Sequence, residues 1–139
     1  MIIQKIVVLE PRSRGIHIIT EQILKEIPEI NNFKAGIINL FILHTSASLS
    51  INENYDNSVL DDMELFFKKL VPDNTNYFTH TDEGSDDMTS HIKASIFGAS
   101  LNIPLKDGKL LLGTWQGIYL CEHRESKRAR SIAITIMGE

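Results

Sequence analysis

Apolar residues fall in short blocks along this chain, and the spacing inside each block predicts an element. Ile2 to Glu10 is β-branched and apolar, Pro11-Arg12-Ser13-Arg14-Gly15 reads as a turn, and Ile16 to Ile19 resumes the strand pattern, so the opening predicts a hairpin. Thr20 then offers an N-cap oxygen to a short helix whose Ile23, Leu24 and Ile27 repeat at helical spacing until Pro28 stops it. Ala35 to Leu43 is nearly continuous in apolar residues, which predicts a strand buried on both faces that delivers His44 to its end. Ser46 to Asn52 alternates small polar with apolar residues, as a strand with one face to the core would.

Val59, Leu60, Met63, Phe66, Phe67 and Leu70 stand three and four apart, so Asp56 to Leu70 is predicted to be an amphipathic helix ended by Pro72. Asp73 to Gly84 carries no apolar period and reads as a surface loop, with His80 inside it. Ser85 or Asp86 is expected to cap a further helix with Met88, Ile92, Ser95 and Ile96 facing inward and Gly98 at its C-terminal turn. Four strands are predicted after it: Leu101 to Pro104, Lys109 to Gly113, Trp115 to Glu122 and Ser131 to Met137, the first two joined by an Asp107-Gly108 turn. The sum is a single α+β domain over residues 1–139, of roughly seven strands and three helices, and the grouping of strands argues against a parallel βαβ sheet.

Composition narrows the function classes. With 139 residues, 42% hydrophobic and 23% charged, the chain is ordinary globular material, and no apolar stretch is long enough to cross a bilayer. The formal charge of −4 favours neither nucleic acid nor an anionic membrane as partner. The first residues lack the pattern of a secretory signal, so the cytoplasm is the expected compartment. The single cysteine, Cys121, lies in an apolar run and is expected to be a buried small hydrophobe; no CxxC pair supports a disulfide framework or a Cys-rich zinc site. Arg124, Lys127, Arg128 and Arg130 concentrate positive charge locally, either as a solvated hairpin tip or as a phosphate clamp.

Three clusters could carry chemistry. His44 at a strand end, with Thr45, Ser46, Asn52, Glu53 and Asp61 following, has the rigidity wanted of a general base or metal ligand; a hydrogen-bonded turn histidine is the plainer alternative. His44, His80 and His91, from three separate elements, would form a facial set of nitrogen ligands for zinc or a similar ion with one position open, although the His-x10-His spacing is no recognised zinc signature. Gly113-Thr114-Trp115-Gln116-Gly117 frames an aromatic and an amide between two glycines, either a kinked strand with a core tryptophan or a ligand-contacting bulge. His17 and His123 stand apart from any carboxylate cluster. GxGxxG, Walker, HExxH and GxSxG signatures are all missing, which disfavours dinucleotide binding, P-loop chemistry and the commonest hydrolases.

Taken in order, Ser13-Arg14-Gly15, HTSASLSINEN from His44, DDM from Asp61, VPDN from Val71, DDMTSHIKAS from Asp86 and GTWQGIYLCEHR from Gly113 resemble the motif series of the YjbQ-like family over essentially the whole chain. The resemblance implies a two-sheet α+β sandwich that assembles as a homotrimer, with sites near subunit boundaries. It also implies a secondary thiamine-phosphate synthase activity, in which a hydroxymethylpyrimidine diphosphate is coupled to a thiazole phosphate with release of pyrophosphate. Family positions retained here are His44, Asn52, Glu53, Asp61, His91, Gly113, Thr114, Gln116 and Glu122, whereas relatives vary in spacing around His80.

On that reading the catalytic candidates are His44, Glu53 and His91. Thr45, Ser46, Asn52, Gln116, Arg128 and Arg130 are expected to contact a small phosphorylated substrate. The metal candidates are His44, His80 and His91, or alternatively Glu53 and Asp61, with Mg²⁺ suited to diphosphate departure and Zn²⁺ to the histidine set. Two other readings of the same residues are a trimeric metal- or anion-binding protein without catalysis and a metal-dependent hydrolase of a small phosphorylated molecule.

Overall fold

The structure is a computed structural model that describes all residues, Met1–Glu139. Its elements run β1 (Ile2–Leu9), β2 (Gly15–Ile18), α1 (Thr20–Glu26), a 3-10 turn (Pro28–Asn32), β3 (Ala35–Ile42), β4 (Ala47–Glu53), α2 (Asn57–Leu70), α3 (Asp87–Phe97), β5 (Ser100–Lys106), β6 (Lys109–Leu110), β7 (Gln116–Glu122) and β8 (Arg130–Gly138). Eight strands, one for each stretch the apolar pattern marks, form a five-stranded sheet ordered β1-β8-β3-β5-β6 and a three-stranded sheet ordered β2-β7-β4. Every pairing is antiparallel, as the grouping of strands anticipates.

The predicted opening hairpin does not form. β1 pairs with β8 and β2 with β7, so Pro11 to Arg14 carries the chain from one sheet to the other. Proximity in sequence favours a hairpin, but β1 pairs along all eight of its residues with β8, twice what the four-residue β2 could offer it. By contrast Asp107 and Gly108, both at positive φ (50° and 73°), make the two-residue turn between β5 and β6 that an Asp-Gly pair favours.

The sheets pack face to face over one core. Val7, Leu9, Ile38, Leu40, Ile42, Ile103, Leu105, Ile132, Ile134 and Ile136 from the larger sheet meet Ala47, Leu49, Ile118 and Leu120 from the smaller. Ile19, Ile23, Ile27, Ile30 and Phe33 close one side, each buried side chain of this size adding about 1.5–3 kcal/mol. The other face of the small sheet presents Ile16, Tyr119 and Cys121 to Leu60, Met63 and Phe97 of α2 and α3, so the layers are large sheet, small sheet, helices.

Several finer expectations are corrected. Thr20 does not cap α1: its Oγ1 accepts from the Ile118 N–H (2.9 Å), tying the helix start to β7. Asp56 does cap α2 through the Ser58 N–H, but Phe66 and Leu70 of that helix stay exposed. On α3 no side chain caps the start, and the buried positions are Asp87, Thr89, Ser90 and Lys93 rather than Met88, Ile92, Ser95 and Ile96. Those polar groups are tolerated inside because they find partners: Thr89 donates to Asp73 (2.6 Å) and Ser90 to the Asp87 carbonyl (2.6 Å).

β3 is buried on one face only. Ile37 and Phe41 point outward from the large sheet with Ile2, Ile6, Val8 and Met137. In register, this outer face reads as an apolar row (Ile2, Met137, Ile37), a polar row (Gln4, Thr135, Asn39, Asn102) and a second apolar row (Ile6, Ala133, Phe41). The polar row is hydrogen-bonded as two pairs, Gln4 to Thr135 at 2.9 Å and Asn39 to Asn102 at 3.0 Å.

Candidate metal centre and adjoining clefts

α3 and the loop before it build the most concentrated chemical group in the chain. Asp87 and His91 are four residues apart, so they share one side of the helix, and His80 reaches them from the loop. The ligand atoms of His80, Asp87 and His91 lie within 4.8 Å of one another. His80 Nε2 stands 2.6 Å and His91 Nε2 3.3 Å from the same carboxylate oxygen, Asp87 Oδ2.

Proton positions follow from the partners. His91 Nδ1 lies 3.0 Å from the Thr45 carbonyl, which can only accept, so Nδ1 carries a proton and Nε2 is the atom turned toward Asp87. Burial works to raise the Asp87 carboxyl, but the hydrogen bond from His80 and the charges of His91 and Arg124 outweigh it and hold the group below the usual carboxylate range. At 2% exposure Asp87 is a buried anion, balanced through its other oxygen by Arg124 Nη1 at 3.3 Å.

The loop is pinned at both ends. Arg14 donates to Asp73 (2.7 Å), and Arg124 donates to the Glu83 carbonyl (2.7 Å) and to Asp86 (3.2 Å). His80 is thereby held on a fixed segment while remaining half exposed. Two histidines and one carboxylate with open positions match the facial sets that hold zinc, iron(II) or similar ions, and suit Mg²⁺ less, because Mg²⁺ prefers oxygen. Open clefts flank the group: one of about 250 Å³ contains His80 with Asn74, Thr75, Thr81 and Ser85, and one of about 630 Å³ contains His91 with His44, Thr45 and Ser95.

His44 is a neighbour of this group and not a member of it. Its Nε2 accepts from the Ser131 N–H at 2.8 Å, so the neutral ring carries its proton on Nδ1. Burial first, then the nearby Arg130 and Arg128, lower its pKa and favour that neutral form. Asp87 takes the third ligand place expected of His44.

The remaining predicted residues disperse. Thr45 borders the larger cleft; Ser46 is buried, its carbonyl accepting from the His123 N–H. Arg130 is 1% exposed and donates from Nε and Nη2 to the equally buried Glu122, so it is spent inside the fold and unavailable as a phosphate contact. Arg124 is committed to the loop, which leaves Lys127 and Arg128 as the exposed remainder of the basic run. Asp61 is exposed on α2, while Asn52, Glu53 and Gln116 gather at the far end of β4 around a separate groove. Trp115 is 60% exposed, so the expected core tryptophan is overturned. Cys121 is fully buried, and burial pushes its thiol up to about 12, as an inert core residue requires.

Sequence reasoning missed Asp87 and Arg124. The Asp87-to-His91 spacing was an available signal; the reach of Arg124 from the end of β7 to the start of α3 was not.

The family model described as "UPF0047 protein YjbQ-like" matches residues 4–139. The chain belongs to the YjbQ-like family. It is 48% identical to the UPF0047 protein YjbQ of Escherichia coli O157:H7 over 136 residues, covering 98% of each chain, and 38% identical to the UPF0047 protein of a Synechocystis strain, covering 98% of this chain and 92% of that one. Among solved structures, a YbjQ-like protein of unknown function from Sulfolobus solfataricus superposes with a TM-score of 0.86 at 26% identity, covering 100% of this chain and 99% of the other. An uncharacterised family member from Clostridium acetobutylicum gives 0.83 at 34% identity, covering 96% and 99%. The family fold and the α+β two-sheet architecture are therefore established for this chain.

Proposed function

We propose that this protein is a metal-dependent enzyme acting on a small phosphorylated molecule, and that the reaction is the thiamine-phosphate synthase chemistry implied by the family resemblance. The observation that carries the proposal is the His80-Asp87-His91 group standing between two open clefts with hydroxyl- and amide-bearing walls. In that reaction a diphosphate leaves a benzylic-type carbon and the thiazole nitrogen captures it. A cation at the group would supply positive charge where the leaving diphosphate accumulates negative charge. His91 is oriented by Thr45 to present Nε2, Asp87 stays ionised beside Arg124, and His44, in the wall of the larger cleft, would donate from Nδ1. Thr45 in the larger cleft and Asn74 in the smaller offer hydrogen bonds to phosphate oxygens. The nitrogen-rich set also supports a second reading, a zinc-type hydrolase of a phosphorylated substrate, because half-exposed His80 leaves a coordination position open to water.

The same proposal places the protein in the cytoplasm as a homotrimer, joined through the two apolar rows on the outer face of the large sheet. No helix is long and apolar enough to cross a membrane.

Untagged wild-type protein and His91→Ala should be assayed for thiamine-phosphate formation with Mg²⁺ and after chelation, alongside metal content. The expected result is activity that requires metal and falls about a hundredfold in His91→Ala, the size typical of losing one charge-stabilising group. A trace rate indifferent to chelation and to His91 would overturn the synthase reading. Stoichiometric zinc, with turnover of a phosphate ester in place of synthase activity, would move the function to the hydrolase.

A further inference from the structure

The Gly113–Gly117 segment holds an exposed aromatic rigidly, and neither the metal group nor the clefts beside it use that aromatic. Trp115 is 60% exposed and Tyr55 is 78% exposed, yet the two rings meet edge to face at 5.4 Å and 71°. Large aromatics left in water are expected where something binds. Trp115 lines a groove of about 290 Å³ with Ile51, Asn52, Glu53 and Gln116, and no lysine or arginine, and Tyr55 joins that wall through its contact with Trp115.

The turn beneath Trp115 is stapled from both strands. Asn54 N–H donates to the Trp115 carbonyl (2.9 Å), and Asn54 Nδ2 donates to the carbonyls of Thr114 (3.3 Å) and Gln116 (3.1 Å). Gln116 Oε1 accepts from the Gly113 N–H (2.7 Å). At Gly117 a Cβ would lie 2.9 Å from Asn54 Cβ, so glycine is what lets the staple close. Glu53 is fixed through its backbone, its N–H donating to Asn52 Oδ1 (2.9 Å) and its carbonyl accepting from the Tyr119 hydroxyl, which leaves the carboxylate free to face a ligand.

We infer that Trp115, Tyr55 and Glu53 form a binding site for a planar, positively charged nitrogen heterocycle. An aromatic face attracts a cation through its quadrupole, and a carboxylate at the groove adds a charge partner. The free amide hydrogens of Asn52 and Gln116 suit ring substituents that accept hydrogen bonds. Glu53 closes β4 whereas Thr45 precedes its start, so this site is separate from the metal group and does not depend on the function proposed for it.

Trp115 is the chain's one tryptophan, so a single indole N–H resonance reports the site. That resonance should be followed in a ¹⁵N-labelled sample of full-length protein titrated with 1-methylnicotinamide, a cation, and with nicotinamide, its neutral counterpart. A saturable shift is expected with the cation, and affinity about three- to thirtyfold weaker for nicotinamide and for the cation with Tyr55→Ala or Glu53→Gln. Glu53→Gln keeps the side chain's shape, and its unchanged resonances elsewhere would show that the fold is retained. Equal affinity for both probes, or no effect of either substitution, would overturn the inference. So would an indole resonance that moves with protein concentration alone, because a second copy would then be the occupant.

Discussion

His123 is 2% exposed, and its Nε2 lies 2.8 Å from the Ser48 hydroxyl. Burial first, then the charges of Lys93, Arg14 and Arg130, push its pKa down from 6.5 to about 3, so the folded ring is neutral. An unfolded chain protonates this histidine below pH 6.5 while the folded chain resists until about 3, so the unfolded state holds the extra proton between those values and acid favours unfolding. Its contribution is complete above pH 6.5 and declines as pH falls, by at most about 1.4 kcal/mol per pH unit. His44, lowered by burial and by the two arginines, acts in the same direction. Asp87 and Asp73, both lowered, lose their stabilising charge only as pH falls through and below 3.8, so between pH 6.5 and about 4.5 the histidines act against Glu64, whose carboxyl burial raises from 4.5. His123→Gln should flatten the dependence of urea-unfolding stability on pH in that interval, measured by circular dichroism; an unchanged slope would mean that the folded ring is protonated. Sequence marked His123 as uninteresting for chemistry, which is consistent with a buried structural role, but its burial follows from Phe97 of α3 and Ser48 of β4 meeting it just past the end of β7 and left no local trace.

Elements were more legible than their neighbours. The period of the apolar residues located the helix at Asn57–Leu70 and the strand at Ala35–Ile42 to within a residue, because these patterns are local. Which strands pair is a long-range matter, and the expectation that β1 and β2 would join failed for that reason. The inward side of α3 was misjudged because burial was equated with hydrophobicity, while that helix buries Thr89, which donates to Asp73 in the preceding loop, and Ser90, which donates to the Asp87 carbonyl of its own first turn. The candidate site shows the same division: His80 and His91 could be picked out as residue types, but their convergence on Asp87 depends on a loop fixed by Arg14 and Arg124. Arg130, which the fold pairs with buried Glu122, likewise read as a phosphate contact from sequence. Removing one partner of such a pair typically costs about 3–5 kcal/mol, which explains why an arginine can occupy this position without a ligand.

At the scale of the whole molecule, one surface differs from the rest. The small sheet is covered by α2 and α3, but the large sheet presents two apolar rows to solvent with a hydrogen-bonded polar row between them. Continuous apolar residues in Ala35–Leu43 predicted burial on both faces, and assembly through this surface would supply the missing burial. Phe41→Lys combined with Ile6→Lys should leave the circular dichroism spectrum intact and convert the proposed trimer to monomers by light scattering, since both side chains point away from the core. A trimer that survives the double substitution would locate assembly elsewhere.

The stapled turn at Gly113–Gly117 also decides how this protein will look to a fluorimeter. Its one indole already stands in water in the folded chain, so emission should be red-shifted and readily quenched by acrylamide before any denaturant is added. Unfolding would then pass nearly unseen by intrinsic fluorescence. A blue-shifted emission from the native protein would mean that another surface covers Trp115 in solution.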